Sequence, residues 1–453
     1  MYSERLAVLV RSVAAVATMF GVAAGLMSAS AQAYTFKVLH SVCEGTTCAG
    51  NGETTGGLLI DAAGNLYGTS VGDGAYGAGV VFEISPAADG KTWNYRVLHD
   101  FCSRPACDDG AVVWGTLIAD TAGSLYGVTT VAGKGTFGTV FKLSPNADRS
   151  SWAYRVLHTF CPQGGSYCPE SDGFDFGLTY AGAATGAPYD GRSPLYGTSL
   201  FGGASAGNVF VLTPSPKKTR WSFRQIYAFC AVSNCADGMD PWMGNVIADA
   251  AGNLYGVTMA GGAHGTGVVY ALSPDGHGGW SERVLHSFCS WADCADGQRP
   301  IGSLLLDGAG NLVGTTQGGA STCADGTNCG VVFKLTPGSP WKETVLHRFC
   351  KQSGCADGSD PQGDLLIDAQ GRLFGATSKG GSQNSGTVFM IDTHYHVLHS
   401  FCAETNCADG EYPWGGIAMN AAGSIFGVTQ LGGAAGDGEV FELAKWVQPN
   451  AVR

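Results

Sequence analysis

The sequence predicts an all-β protein: a seven-bladed β-propeller of four-stranded antiparallel blades, its ring closed by the N-terminal strand completing the last blade. Three observations predict this. A VLHSFC-like segment occurs seven times along 453 residues. Each repeat unit divides into four short β-type runs separated by Gly, Asn, Asp and Pro turns. The chain opens with a lone fourth run, at residues 36–42, and ends with three runs at 417–421, 425–430 and 439–443. Pairing the two ends leaves no open sheet edge.

The first segment reads as an export signal. Arg5 and Arg11 supply positive charge, residues 13–26 are apolar, and Ala31-Gln32-Ala33 fits a small-x-small cleavage site. Residues 1–33 are therefore expected to be a signal peptide, and 34–453 a single propeller domain. The alternative, an uncleaved anchor, would need a longer apolar run. No later stretch is long and apolar enough to span a bilayer. The expected product is monomeric, without a membrane span after cleavage, and secreted or periplasmic.

The repeat comes next. Copies start at Val38, Val97, Val156, Ile226 (as IYAFC), Val284, Val345 and Val397. Their closing cysteines are 59, 59, 69, 59, 61 and 52 residues apart. Within one unit, LLIDAAG leads to NLYGTS, a Gly-rich loop leads to VVFEISP, and a polar loop leads to WNYRVLHDF. The recurring turn after the first run (DAAGN, DTAGS, DGAGN, DAQGR, NAAGS) carries the glycine that a tight hairpin needs at positive φ. Units of about 60 residues are longer than most solenoid coils, which favours a closed propeller.

The stretches DAAGNLYGTSVGDGAYGAGVVFEISP and DAAGNLYGVTMAGGAHGTGVVYALSP resemble the GloVer-type tandem repeat of bacterial exported proteins called choice-of-anchor tandem repeat proteins. The resemblance covers essentially all of the chain after the signal. It implies an extracytoplasmic propeller and no particular activity. Many members carry a C-terminal anchor segment; this chain ends in KWVQPNAVR, without an apolar tail.

Composition narrows the partners. Glycine, at 70 residues, is roughly twice average usage. Hydrophobic residues at 45% suffice for a core, and the net charge of −12 comes without a basic cluster, which argues against nucleic-acid binding.

The 16 cysteines pair by proximity. Seven pairs follow the repeated strands: Cys43/Cys48, Cys102/Cys107, Cys161/Cys168, Cys230/Cys235, Cys289/Cys294, Cys350/Cys355 and Cys402/Cys407. An eighth, Cys323/Cys329, lies in a Gly-rich loop. Zinc would need about four converging ligands, and each loop offers two thiolates on a different blade. A redox motif would prefer Cys-x-x-Cys, which is absent. Local disulfides, permitted by export, remain. No metal or other cofactor is expected, with calcium at the acidic loops as the alternative.

Six copies of the strand carry histidine (His40, His99, His158, His286, His347, His399), and the fourth is read as carrying Ala228 instead. On the outer strands of a propeller these rings cannot meet at one centre, so a structural role is expected. His264 is unrepeated, in a Gly-rich loop. The Asp-Gly after each second cysteine (Asp109, Asp172, Asp237, Asp296, Asp357, Asp409; Asn51-Gly52 in the first unit) reads as turn capping.

Function is sought where repeats diverge, on loops held by a rigid scaffold. Trp114, Phe176, Trp242, Gln362 and Trp414 stand just before the inner strands, Arg299 follows an Asp-Gly, and together they offer aromatic and polar contacts to a glycan or protein ligand. The competing structural reading has these tryptophans plugging gaps between blades. The expected function is a non-catalytic binding or scaffold module. The alternative is a propeller-type glycan hydrolase or lyase using the carboxylates Asp240, Asp360 and Glu411, since such chemistry needs two positioned carboxylates or a base with a cation.

Overall fold

A computed structural model describes residues 34–42, 54, 56–134, 137–165, 167–170, 177–203, 205–215, 221–319 and 329–445. The signal segment, Cys43, Cys48, Asn51, Asp172, Phe176 and Cys323 lie outside the described residues. By contacts Phe36–Ala444 forms one compact unit, the propeller.

Seven antiparallel sheets follow one another in chain order. The first blade runs from Leu59–Ile60 through Leu66–Ser70 and Val80–Pro86 to Trp93–Asp100 at its outer edge. The sixth blade splits its inner strand into Ser359–Pro361 and Leu366–Ile367, both paired with Leu373–Lys379. In the seventh, Ala418–Met419, Ile425–Val428 and Glu439–Lys445 are completed by Tyr34–Ser41. The expected ring closure is therefore the observed one. Its seam continues past the strand, where the Val42 N–H donates to the Gly438 carbonyl at 3.0 Å.

The core lies between blades. Leu58, Val80 and Phe82 of the first blade pack with Phe426, Val428 and Val440 of the seventh. The same arrangement joins other neighbours, with Phe288 of the fourth blade against Phe333 of the fifth at 5.0 Å between ring centroids. Gly68 in LYG is required because a Cβ there would collide with the Phe82 ring.

The VLH triplet is a β-bulge. Val97 faces Phe82 and His99 faces Val81, leaving Leu98 as the extra residue. The same slip occurs in the third blade, where Gln225 faces Phe210 and Tyr227 faces Val209. Tyr227, not Ala228, thus holds the histidine position. The expectation erred because it matched Ile226 to the first letter of VLH, whereas Ile226 is the bulged residue and the pairing is fixed from the cysteine backward.

Six disulfides are present among the described residues: Cys102–Cys107, Cys161–Cys168, Cys230–Cys235, Cys289–Cys294, Cys350–Cys355 and Cys402–Cys407. Cys329 is also disulfide-bonded. No helix among the described residues is long and apolar enough to cross a membrane.

Candidate functional site

The repeated histidine, Asp-Gly and disulfide form one joint between blades. Asp109 is fully buried. Its carboxylate accepts hydrogen bonds from the Ser103 N–H (3.2 Å), the Ser103 hydroxyl (2.8 Å) and the Arg104 N–H (3.4 Å), all inside the disulfide loop. His99 Nε2 lies 3.2 Å from the same carboxylate. The His99 ring stacks on Tyr154 of the next blade, centroids 3.9 Å apart. Burial pushes the His99 imidazole down to about 4, against the opposing pull of Asp109. Asp357 and Asp409 repeat these contacts with His347 and His399. In the third blade the neutral Tyr227 substitutes, its hydroxyl donating to Asp237 at 2.7 Å. The glycine after each aspartate meets two demands: Gly297 has φ of 100°, and a Cβ there would stand 2.6 Å from Thr316 Oγ1.

The residue three places after each Asp is gripped from both sides. Val112 N–H donates to the Ala78 carbonyl of the preceding blade, and its own carbonyl accepts from Thr130 N–H, each at 2.8 Å. Asp240, Arg299, Asp360 and Tyr412 hold the equivalent places, all at positive φ, and their N–H groups reach back in the same way. Asp240 and Asp360 therefore occupy one repeated position in two different blades. Burial raises the Asp240 carboxyl. Asp360 accepts from Gln362 Nε2 at 3.0 Å, with Lys379 Nζ 3.6 Å away. Glu411 sits within 4.8 Å of both sulfurs of Cys402–Cys407. Arg299 is exposed on the surface, its guanidinium 3.6 Å from Met259 Sδ.

Trp114, Gln362 and Trp414 do come together. With Met243 they line a cavity of about 40 Å³, bounded below by Gly57, Thr116, Asn245, Ser303, Asp364 and Gly416. Trp242, Arg299, Asp240, Asp360 and Glu411 are not among its lining residues. This cavity marks the propeller axis, because its lower residues all stand at the start of inner strands. Their side chains reach back one blade. Thr116 Oγ1 accepts from Gly57 N–H (3.0 Å), Ser303 Oγ from Asn245 N–H (3.1 Å), and Asp364 Oδ1 from Ser303 N–H (2.6 Å). Burial raises the Asp364 carboxyl. The cavity has room for only a few waters. Sequence reasoning missed this ring, although the residue preceding each inner apolar run varies among Gly, Thr, Asn, Ser and Asp.

The larger concavity is on the opposite face, where the hairpin turns of the first three blades meet. This groove of about 700 Å³ has Leu59, Ile60, Ile118 and Leu125 among its apolar walls, with Asp61, Arg149, Thr121 and Tyr180 as polar and aromatic lining. Its size falls within the range of small-ligand sites. One wall is the insertion that lengthens the third unit, contributing Gly186 and Pro188. Tyr189 anchors that wall. It is fully buried, stands edge-on to Tyr126 at 5.2 Å, and its carbonyl accepts from Thr121 N–H at 2.9 Å. Arg149, itself at φ of 60°, places Nη1 3.4 Å from Asp61 Oδ2. Its guanidinium lies 5.6 Å from the Trp152 ring centroid.

A family model described as the Gloeobacter/Verrucomicrobia repeat matches residues 17–191 and 185–441. Among solved structures, the crystal structure of a protein from Lactobacillus plantarum, a structural-genomics target, is similar. It shows 13% identity and a TM-score of 0.41, with 76% of this chain and 84% of that chain covered. No curated protein matches.

Proposed function

We propose that this chain, which belongs to the Gloeobacter/Verrucomicrobia repeat family, is an exported, non-catalytic binding module for a glycan. The observation that carries the reading is the groove beneath the first three blades, walled by the longest insertion in the repeat. Its apolar walls suit the face of a sugar ring. Arg149, Asp61 and Thr121 offer donors and acceptors that orient hydroxyl or carboxylate groups. The disulfides support export, because such bonds persist in oxidising compartments. In this reading the signal at 1–33 is removed before Tyr34. The monomer then works outside the cytoplasm, in the periplasm or beyond the cell.

The test is a glycan array and a set of soluble polysaccharides presented to the mature protein, with product analysis of every hit. Arg149→Ala, and replacement of residues 181–193 by the short DAAGN turn of other blades, are expected to weaken binding at least about tenfold. Trp114→Ala with Trp414→Ala is expected to leave it unchanged. The reverse pattern moves the site to the axial mouth. Shortened products would establish the hydrolase or lyase reading instead. A signal only with proteins would replace the glycan by a protein ligand.

A further inference from the structure

We infer that His286, Asp296 and Glu343 form a divalent-metal site, suited to zinc, in the joint between the fourth and fifth blades. The inference starts from a break in the repeat. At five joints an aromatic ring of the next outer strand stacks on the histidine: Tyr95 on His40, Tyr154 on His99, Phe223 on His158, Tyr395 on His347 and Phe36 on His399. At the fourth-to-fifth joint that place is taken by Glu343, which pairs with Leu335 as Tyr154 pairs with Leu143. A packing position has become a carboxylate.

The geometry is that of a ligand set. His286 Nε2 lies 3.3 Å from Asp296 Oδ2 and 3.3 Å from Glu343 Oε2. Ligand atoms held 2.0–2.1 Å from a tetrahedral zinc ion stand about 3.3 Å from one another. All three candidate ligand atoms fall within 4.8 Å of each other. The Glu343 side chain is 3% exposed and that of Asp296 0%. Neither Glu343 oxygen has a hydrogen-bond partner, and neither does His286 Nε2. Asp296, by contrast, is oriented by Ser290 N–H (2.8 Å), Ser290 Oγ (2.7 Å) and Trp291 N–H (3.3 Å). Ordered support of this kind fixes a metal ligand. Two buried carboxylates side by side need a compensating positive charge or a proton. Nearby, Arg348 donates Nη2 to the Ala295 carbonyl at 3.1 Å. One His and two carboxylates leave the fourth tetrahedral position to water, as in open zinc sites.

The preceding joint is a built-in comparison. There Glu282 takes the aromatic position, again beside a buried aspartate, Asp237, with Glu282 Oε1 unpartnered. The histidine position holds Tyr227, whose neutral phenol donates to Asp237 and supplies no imidazole nitrogen. This joint lacks one ligand of three.

The experiment titrates zinc chloride into chelator-treated, disulfide-intact mature protein, read by calorimetry and by competition with a chromogenic chelator. The expected result is one equivalent bound. His286→Ala and Glu343→Gln should each weaken binding by about 100-fold or more, and Glu282→Gln should leave it unchanged. Tyr227→His should raise the stoichiometry to two. Glu343→Tyr restores the aromatic of other joints, and its thermal unfolding shows that loss of zinc is not loss of fold. The proposal is overturned if the wild type binds no zinc, or if Glu343→Gln binds as tightly as wild type. A proton shared between Glu343 and Asp296 gives the first of these outcomes.

Discussion

Tyr227 donates its hydroxyl to the buried carboxylate of Asp237 at 2.7 Å, in the place where other joints set a histidine. A phenol hydroxyl therefore serves that aspartate as the imidazoles of His99 and His399 serve Asp109 and Asp409. Tyr227→Phe removes the donor while keeping the ring, and Asp237 keeps the Ala231 and Val232 N–H groups. A loss of about 1–2 kcal/mol is expected, because a hydrogen bond to a charged group is lost inside the protein. Urea unfolding with an unchanged m-value checks it, and an unaltered midpoint would refute the role.

His99 makes stability depend on pH. The unfolded chain takes up its proton near pH 6.5, while the folded ring, kept neutral by burial, does so only at about 4. Between these values the unfolded state binds more protons. Stability is therefore full above pH 6.5 and falls as the pH drops toward 4. The difference between wild type and His99→Gln should shrink across that window by on the order of 3 kcal/mol at most. Unfolding curves at several pH values, run on both proteins, measure it.

The disulfide loops stiffen the crossing from blade to blade. Each closes a short ring, so converting Cys402 and Cys407 together to serine should cost roughly 2 kcal/mol by the chain-entropy argument. Differential scanning calorimetry reads the fall in Tm. A value unchanged from wild type would mean that the buried Asp409, capping the Ala403 and Glu404 N–H groups at 3.1 Å each, holds the loop without the bond.

Asp364 is expected to matter for packing around the axis. Its Oδ1 accepts the Ser303 N–H at 2.6 Å beside a cavity that admits only a few waters. Asp364→Ala should cost about 1–3 kcal/mol by leaving that donor unsatisfied. Asp364→Asn, which keeps an acceptor and has no charge to bury, should cost little. Thermal unfolding of the two variants separates them, and equal losses would reject the argument.

Much of this was legible in the chain. The inner glycine and the outer strand that leads into the cysteine recur in all seven blades, and the DxxG-type turn in six, because the same local geometry recurs, so blade count and ring closure follow from counting. The Asp-Gly reading as turn capping was sound, since Asp109 and its equivalents bond backbone N–H groups inside the disulfide loops. Trp114, Gln362 and Trp414 meet because the same repeat position, taken from several blades, lines one axis.

One misreading has a local cause. Ala228 was read in place of Tyr227 because a bulge inserts a residue that letter matching cannot see. Asp240 and Asp360 are one repeated position on two blades, and Glu411 lies beside the Cys402–Cys407 disulfide. Phe176 falls outside the described residues.

By itself, the sequence determined the repeat, the propeller, the closure and the disulfides, because these depend on local patterns of turns and alternation. Only the tertiary structure decided what meets across a joint. Glu343 is 57 residues from His286 along the chain, yet lies 3.3 Å from it. The groove draws its walls from three blades and an insertion. Such meetings are set by how neighbouring blades pack side by side, which no single repeat records.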